Sequence, residues 1–420
     1  MFENKGKITV FDGAIGTEAQ KRAPDSGENL TELLNLSKPE VVQSIHHDYL
    51  FAGAKALTTN TFSANEIRLS RSGYGEKASE VNEKGVNLAR QAVEEFSGES
   101  KNISVVGSIG PTGETLVPLG EWTFDQFYEN FLAQARALKR GGADWIIIET
   151  MESLREAKAA LVAAKEVGLP VISSLSFGPR GRTSYGVKPA SGAVTLDRLG
   201  ADVVGVNCGT GPKPYPDIIK TYSEYSNKPI LAEANAGDPR LEDGKTVYDI
   251  RPEDYLKDIK PGLRHLSAIG SCCGSSPDFT KLLAEIVPEY EGERKSNKET
   301  GEKFIANNEK VISVSGDVEF REVKLGKGDL KNLKKKLLDG KVNLLRFTGF
   351  SESHEDLERV LGRQFLQLRS SNPVGIVTND SELLKVFLKV YPGISPVVAT
   401  GNSRFIKEIA GKYGGLLIRN

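Results

Sequence analysis

Trp145-Ile-Ile-Ile-Glu-Thr-Met-Glu-Ser-Leu-Arg-Glu-Ala-Lys-Ala-Ala-Leu-Val-Ala-Ala-Lys-Glu-Val-Gly-Leu-Pro-Val-Ile-Ser-Ser-Leu-Ser-Phe177 reads as strand, helix, strand. Trp145–Glu149 and Val171–Phe177 are short apolar runs rich in β-branched residues, and Leu154–Val167 between them has the spacing of an amphipathic helix. The same alternation extends from Ile8 to about Ile286. Further strands are expected at Ile8–Asp12, Ala54–Asn60, Ile103–Ser108, Asp202–Asn207, Ile230–Asn235 and Leu266–Gly270. Helical patterns at Glu40–Ala52, Lys77–Phe96 and Phe124–Arg140 fall between them. Eight strands, most followed by a helix, predict an α/β chain that opens with a parallel (β/α)8 TIM barrel. In such barrels chemistry sits at the C-terminal ends of the strands.

The chain has three cysteines, Cys208, Cys272 and Cys273, and all lie where a strand runs out into glycines. Asn207-Cys-Gly-Thr-Gly-Pro212 follows the sixth strand, and Gly270-Ser-Cys-Cys-Gly-Ser-Ser-Pro277 follows the eighth. A buried cysteine is by itself only a small hydrophobe. A disulfide would leave one thiol over, and no secretory signature is present. On one barrel face, however, a neighbouring pair and one distant thiolate can hold Zn²⁺. A fourth cysteine does not exist. His265 stands seven residues before Cys272, roughly 20 Å along an extended chain. His46 and His47 lie in a helical stretch, and His354 in another segment. The expectation is therefore three sulfurs and an exchangeable fourth position, open to Asn235, a carbonyl oxygen or water.

The same rim collects polar groups. Asp12 ends strand one, Glu149 ends Trp145-Ile-Ile-Ile148, and Asn235 ends strand seven. Carboxylates ending apolar strands are costly to desolvate unless paired, so Asp12 and Glu149 need a cationic partner. Taken singly each could cap a helix or meet Arg180 or Arg182; together on the metal rim they point to a pocket for a molecule with an ammonium group. Gly13-Ala-Ile-Gly16 lacks the dinucleotide fingerprint, and Gly107-Ser-Ile-Gly-Pro-Thr-Gly113 lacks the Lys-Ser/Thr of a phosphate loop.

Fifty-five basic and 56 acidic residues give a net charge of -1, so there is no basic field for nucleic acid. No apolar run approaches the ~20 residues of a membrane span, and a cytoplasmic protein is expected. These features divide the 420 residues into a barrel over 1–288, a charged linker over 289–310 and a smaller α/β domain over 311–420. In the last, strands are expected at Val311–Val314, Val342–Phe347, Phe365–Leu368, Val374–Val377 and Val397–Ala399. Helices are expected at Asp329–Leu338, Glu355–Leu361, Glu382–Val390 and Ser403–Tyr413.

Residues from about 8 to 285 resemble the homocysteine S-methyltransferase family, particularly the N-terminal module of cobalamin-dependent methionine synthase. Asp12-Gly-Ala-Ile-Gly-Thr-Glu18, Asn35-Leu-Ser-Lys-Pro-Glu40, Thr59-Asn-Thr-Phe62, Gly107–Gly113, Glu149-Thr-Met151, Asn207–Pro212, Asn235-Ala-Gly237 and Gly270–Pro277 carry the resemblance. Ser271 stands where the family usually has glycine, and Ser275-Ser276 where it usually has threonines. The resemblance implies that Cys208, Cys272 and Cys273 bind Zn²⁺ and that the sulfur of homocysteine takes the open position. It implies that Asp12 and Glu149 hold the substrate's amino end, with Asn235 as polar neighbour or displaceable ligand. It implies methyl transfer to homocysteine, giving methionine. The implied donor is methylcobalamin on a separate corrinoid protein, since the chain contains no Asp-x-His-x-x-Gly motif. A free donor (S-methylmethionine, S-adenosylmethionine or betaine) and a non-catalytic zinc scaffold are the alternatives. The last ~110 residues resemble part of a pterin-binding barrel, which takes ~250 in full. Packing, homo-oligomer formation or docking of the methyl carrier are the roles open to them.

Overall fold

A computed structural model describes residues 6–24, 30–96, 103–238, 240–242, 245–290, 302–315, 318–326, 328–348, 353–401 and 404–418. The β-branched runs form β1 (Thr9–Val10), β2 (Ala56–Thr58), β3 (Ser104–Ile109), β4 (Trp145–Met151), β5 (Val171–Leu175), β6 (Val203–Asn207) and β7 (Ile230–Ala234). A short antiparallel hairpin, β8 (Arg240–Glu242) and β9 (Lys245–Val247), interrupts the alternation before β10 (Ala268–Ser271). The parallel sheet runs β1-β10-β7-β6-β5-β4-β3-β2. It closes where Phe11 bridges Ala56, with Lys55 N–H donating to the Val10 carbonyl at 2.8 Å. All eight strands expected from the sequence are present, and they make a barrel.

The helices between them bury one face each. Phe124–Gly141 shows how the local sequence sets the bounds. Thr123 and Gln126 form a reciprocal capping box at its start, and Gly142 ends it at φ 93°.

Side-chain alternation explains the barrel interior. Phe11, Ala56, Val106, Ile147, Ile172, Val203, Leu231 and Ala268 form one buried apolar plug, a residue from each strand or its immediate end. Two positions further toward the C-terminal end, the period of two brings Ser108, Glu149, Ser174, Gly205, Glu233 and Gly270 to the same interior. The lumen therefore changes from apolar to polar within one step along each strand.

Beyond the barrel, residues 291–301 of the expected linker lie outside the described residues. The chain is already folded by β11 (Phe304–Ala306), which pairs antiparallel with β12 (Val311–Ser313). There follow β13 (Phe320–Leu325), β14 (Val342–Phe347), β15 (Gly375–Thr378), β16 (Ser395–Ala399) and β17 (Gly415–Leu417), a parallel sheet in sequence order. Two expectations are corrected. Phe365–Leu368 is no strand but the end of helix His354–Gln367 and its cap, because Leu357, Leu361, Phe365 and Leu368 recur at helical spacing and are buried together. The helix expected over 329–338 is only a 3-10 turn and one helical turn, Asp329–Asn332 and Leu333–Lys336. The sequence reading also missed β11, β13 and β17. Phe-Arg-Glu-Val-Lys-Leu carries charges at three of six positions, two of them adjacent, as a guarded edge strand can, and that breaks the period of two and masks its signal.

The second domain packs on the barrel helices Phe124–Gly141 and Leu154–Glu166, and one apolar cluster runs through both domains. Lys158, with no exposed surface, donates from Nζ to the carbonyls of Leu388 (2.8 Å), Tyr391 (2.8 Å) and Gly393 (3.3 Å). Arg155 pairs with Glu358 at 3.0 Å, and Lys389 with Asp125. No helix among the described residues is long and apolar enough to cross a membrane.

Candidate metal centre

The thiols of Cys208, Cys272 and Cys273 lie within 4.8 Å of one another, with the Cys208 and Cys273 sulfurs 3.9 Å apart. All three are half-buried at the barrel mouth. Tetrahedral coordination at ~2.3 Å per bond sets sulfurs roughly 3.8 Å apart, so the donor set fits a zinc-type site with modest closure. Hydrogen bonds from Cys208 and Cys272, helped by Tyr248, hold the Cys273 thiol below the usual thiol range. Sulfur contacts and then burial push Cys272 well up. Crowded in this way, the three sulfurs demand a shared cation if all are to be thiolates.

Backbone pairing explains the placement. Cys208 N–H donates to the Glu233 carbonyl at 2.9 Å and Cys272 N–H to the Ala234 carbonyl at 2.7 Å. The Cys273 carbonyl accepts from Ala236 N–H at 2.9 Å, so the segment around Asn235 is laced to the eighth-strand turn. Asn235 is itself buried, and its Oδ1 has no hydrogen-bond partner. Gly274 turns the chain at φ 82°, and a Cβ there would stand 2.1 Å from Tyr248 Cγ. Only glycine lets the tyrosine close over the thiols.

Two non-glycine residues on this rim have left-handed backbones: Cys208 at φ 55° and Thr150 at φ 60°. Such conformations cost on the order of 1 kcal/mol and persist where surroundings hold them. Asn207 does so for Thr150. Its Oδ1 accepts from Thr150 N–H (2.7 Å) and Ser174 Oγ (2.6 Å), while Nδ2 donates to Thr150 Oγ1 (2.8 Å) and Glu149 Oε2 (3.1 Å). Ser108 Oγ donates to the other Glu149 oxygen at 2.5 Å. Asp12 accepts from Thr58 N–H at 2.7 Å.

The structure thus brings the thiols, Asp12, Glu149 and Asn235 to one rim, and it adds Glu233. Gly270 lies between this third carboxylate and Asp12: a Cβ added to it would come 2.9 Å from Glu233 Oε1 and 3.0 Å from the Asp12 carbonyl oxygen. A charged residue within Ile230-Leu-Ala-Glu-Ala234, in phase with the lumen-facing Leu231, was the signal available in the sequence. Among the described residues no cationic side chain pairs with any of the three. Arg182, a candidate from the sequence, instead approaches Glu309 at 4.0 Å. Burial raises Glu149 to about 7, with a lesser push from Cys208. Burial also raises Asp12 and Glu233 well above the carboxylate range, and each feels the charge of Glu149. Carboxylates this close, without a cation, form a receptacle for a positive group.

Residues 9–287 match the sequence profile described as homocysteine S-methyltransferase. Over 296 residues, 67% of the chain, 29% are identical to a methionine synthase of Mycobacterium tuberculosis, and over 294 residues 28% to that of Mycobacterium leprae. The chain spans about a quarter of the length of these relatives, 25% and 24%. Among solved structures, the metallated form of the Escherichia coli homocysteine methyltransferase MmuM superposes on 66% of this chain and 96% of its own. The TM-score is 0.57 at 21% identity, a likeness of fold. The oxidised form gives 0.56.

Proposed function

The chain belongs to the homocysteine S-methyltransferase family, and from there we propose that it transfers a methyl group to the sulfur of homocysteine, yielding methionine. The observation that carries the reading is the three thiols within 4.8 Å of one another, set over carboxylates that pair with no cation among the described residues. Cys208, Cys272 and Cys273 would hold Zn²⁺, with Asn235 beside the open position. A zinc ion with three sulfur ligands accepts an exchangeable fourth and keeps a bound thiol deprotonated at neutral pH, where a free thiol with a pKa near ~8.5 is mostly protonated.

The protein's own residues do the rest. Glu149 and Asp12 receive the ammonium of the substrate, whose arrival favours their ionised forms. Asn207 and Ser108 fix both oxygens of Glu149, so the carboxylate needs little reorganisation. The substrate sulfur is thereby aimed outward from the barrel mouth. In the displacement a sulfur–carbon bond forms as the bond between methyl and donor breaks, and no side-chain acid or base is required. The proposed donor is methylcobalamin on a separate corrinoid protein.

Metal analysis and zinc X-ray absorption test this reading. One zinc per chain, passing from three sulfur neighbours to four when homocysteine is added, is the expected result. A shell unchanged by homocysteine would leave a zinc-containing scaffold, and protein without zinc after reducing purification would overturn the assignment. Turnover with methylcobalamin but not with S-methylmethionine, S-adenosylmethionine or betaine is expected, and the reverse pattern would replace the donor.

A further inference from the structure

Homocysteine brings one ammonium, yet the barrel mouth holds three carboxylates. Asp12 follows β1, Glu149 lies in β4 and Glu233 in β7, the first, fourth and seventh strands of an eight-stranded barrel. Closure of the sheet therefore brings them to the lumen from three sides. In the proposed reaction Asp12 and Glu149 receive the ammonium, and Glu233 has no task.

The surroundings of Glu233 are not those of a structural anchor. Asp12 accepts from Thr58 N–H, and the two oxygens of Glu149 are held by Ser108 and Asn207. Glu233 is only 6% exposed, and no donor among the described residues hydrogen-bonds its carboxylate. A carboxylate buried without donor or cation is costly, and such a group calls for a ligand. Its neighbours in the sheet set its direction. In register it faces Asn207 on β6 and Gly270 on β10. Gly270 has no side chain, so Glu233 Oε1 reaches over it toward the Asp12 side, to within 2.9 Å of where a Cβ would stand. The charges of both Glu149 and Asp12 are felt at Glu233. Its carbonyl accepts from Cys208 N–H at 2.9 Å, so the strand that carries Glu233 also anchors a thiol.

A primary ammonium has three N–H donors and no acceptor. Three carboxyl groups around it give each donor an oxygen, and the negative field they share favours a cation over any neutral group. We infer that Glu233 completes a three-carboxylate cradle for the α-ammonium of the substrate and makes that amine decisive for binding. The inference rests on the homocysteine reading of the thiols and refines it: zinc takes the sulfur, and Glu233 selects aminothiols over thiols without an amine.

Calorimetric titration of the zinc-loaded full chain tests this with homocysteine and with 4-mercaptobutanoate, which keeps thiol and carboxylate but lacks the amine. The parent should bind homocysteine at least roughly tenfold tighter than 4-mercaptobutanoate. E233M places an apolar chain of similar size at the position. It should weaken homocysteine by roughly tenfold or more and leave 4-mercaptobutanoate as tight as before or tighter, because a repelling group has gone. E233Q retains an acceptor oxygen and should fall between the two, and it carries the comparison if E233M does not fold. Equal loss of both ligands would make Glu233 a structural residue and overturn the inference, as would undiminished homocysteine binding in the variants or a parent without preference for homocysteine. A parent that binds neither thiol would overturn the homocysteine reading itself, which keeps the two failures apart.

Discussion

Asn207 joins more of the site than any other single side chain, reaching Glu149, both the backbone and hydroxyl of Thr150, and Ser174. N207A should free the Thr150 turn and let Glu149 rotate. A rise in KM for homocysteine of roughly tenfold, with zinc content unchanged, is expected from steady-state kinetics and metal analysis. The thiols behave differently, because each is a proposed ligand and not a support. C208S, C272S and C273S should each take bound zinc from about one per chain to near zero, with activity falling more than roughly hundredfold. A serine variant that keeps full zinc and turnover would remove that cysteine from the ligand set.

Among elements, helix Leu154–Glu166 carries the junction. Its Lys158 serves carbonyls around the end of helix Ser381–Val390, and its Glu156 accepts from both Thr112 N–H and Oγ1 at 2.8 Å. K158M leaves three buried carbonyls without that donor and should lower the unfolding free energy by roughly 3 kcal/mol in denaturant titration. Glu156 gives a pH signature. Burial lifts its pKa from 4.5 to about 7, so the folded chain keeps a proton that the unfolded chain releases near 4.5. Its contribution is complete below that pH and is lost as pH climbs to about 7. E156Q keeps the acceptor oxygen but cannot ionise. Its melting temperature relative to the parent should therefore rise between about pH 5 and pH 8, and a constant difference would show that Glu156 ionises normally.

At the scale of the whole molecule, barrel and second domain share one apolar cluster, with Arg155, Lys158 and Lys389 bridging them. We propose that the second domain serves first as a packing partner of the barrel. A fragment ending at residue 290 would expose Lys158, Leu154 and Phe124 together. The full chain should melt in a single calorimetric transition, and the fragment at least about 5 °C lower or with aggregation. Two separated transitions would mean that the interface contributes little.

The sequence by itself determined the barrel and the thiol triad. Both depend on local signals: a period of two or 3.6, and a rare residue type at strand ends, where a parallel barrel puts everything on one face. It did not determine Glu233 as part of the carboxylate group, since lumen-facing and helix-facing positions both read as apolar run. Nor did it show Asn207 as a brace, because its partners come from β4 and β5, over 30 residues away. The strand at Phe320–Leu325 and the helix through Phe365 were decided by neighbours: an edge strand needs one partner, and Phe365 finds Phe387 and Tyr391 with ring centroids 5.2 and 5.1 Å away. The Lys158 junction exists only in the assembled molecule. It joins two segments far apart in sequence, and burial is a property of the pair.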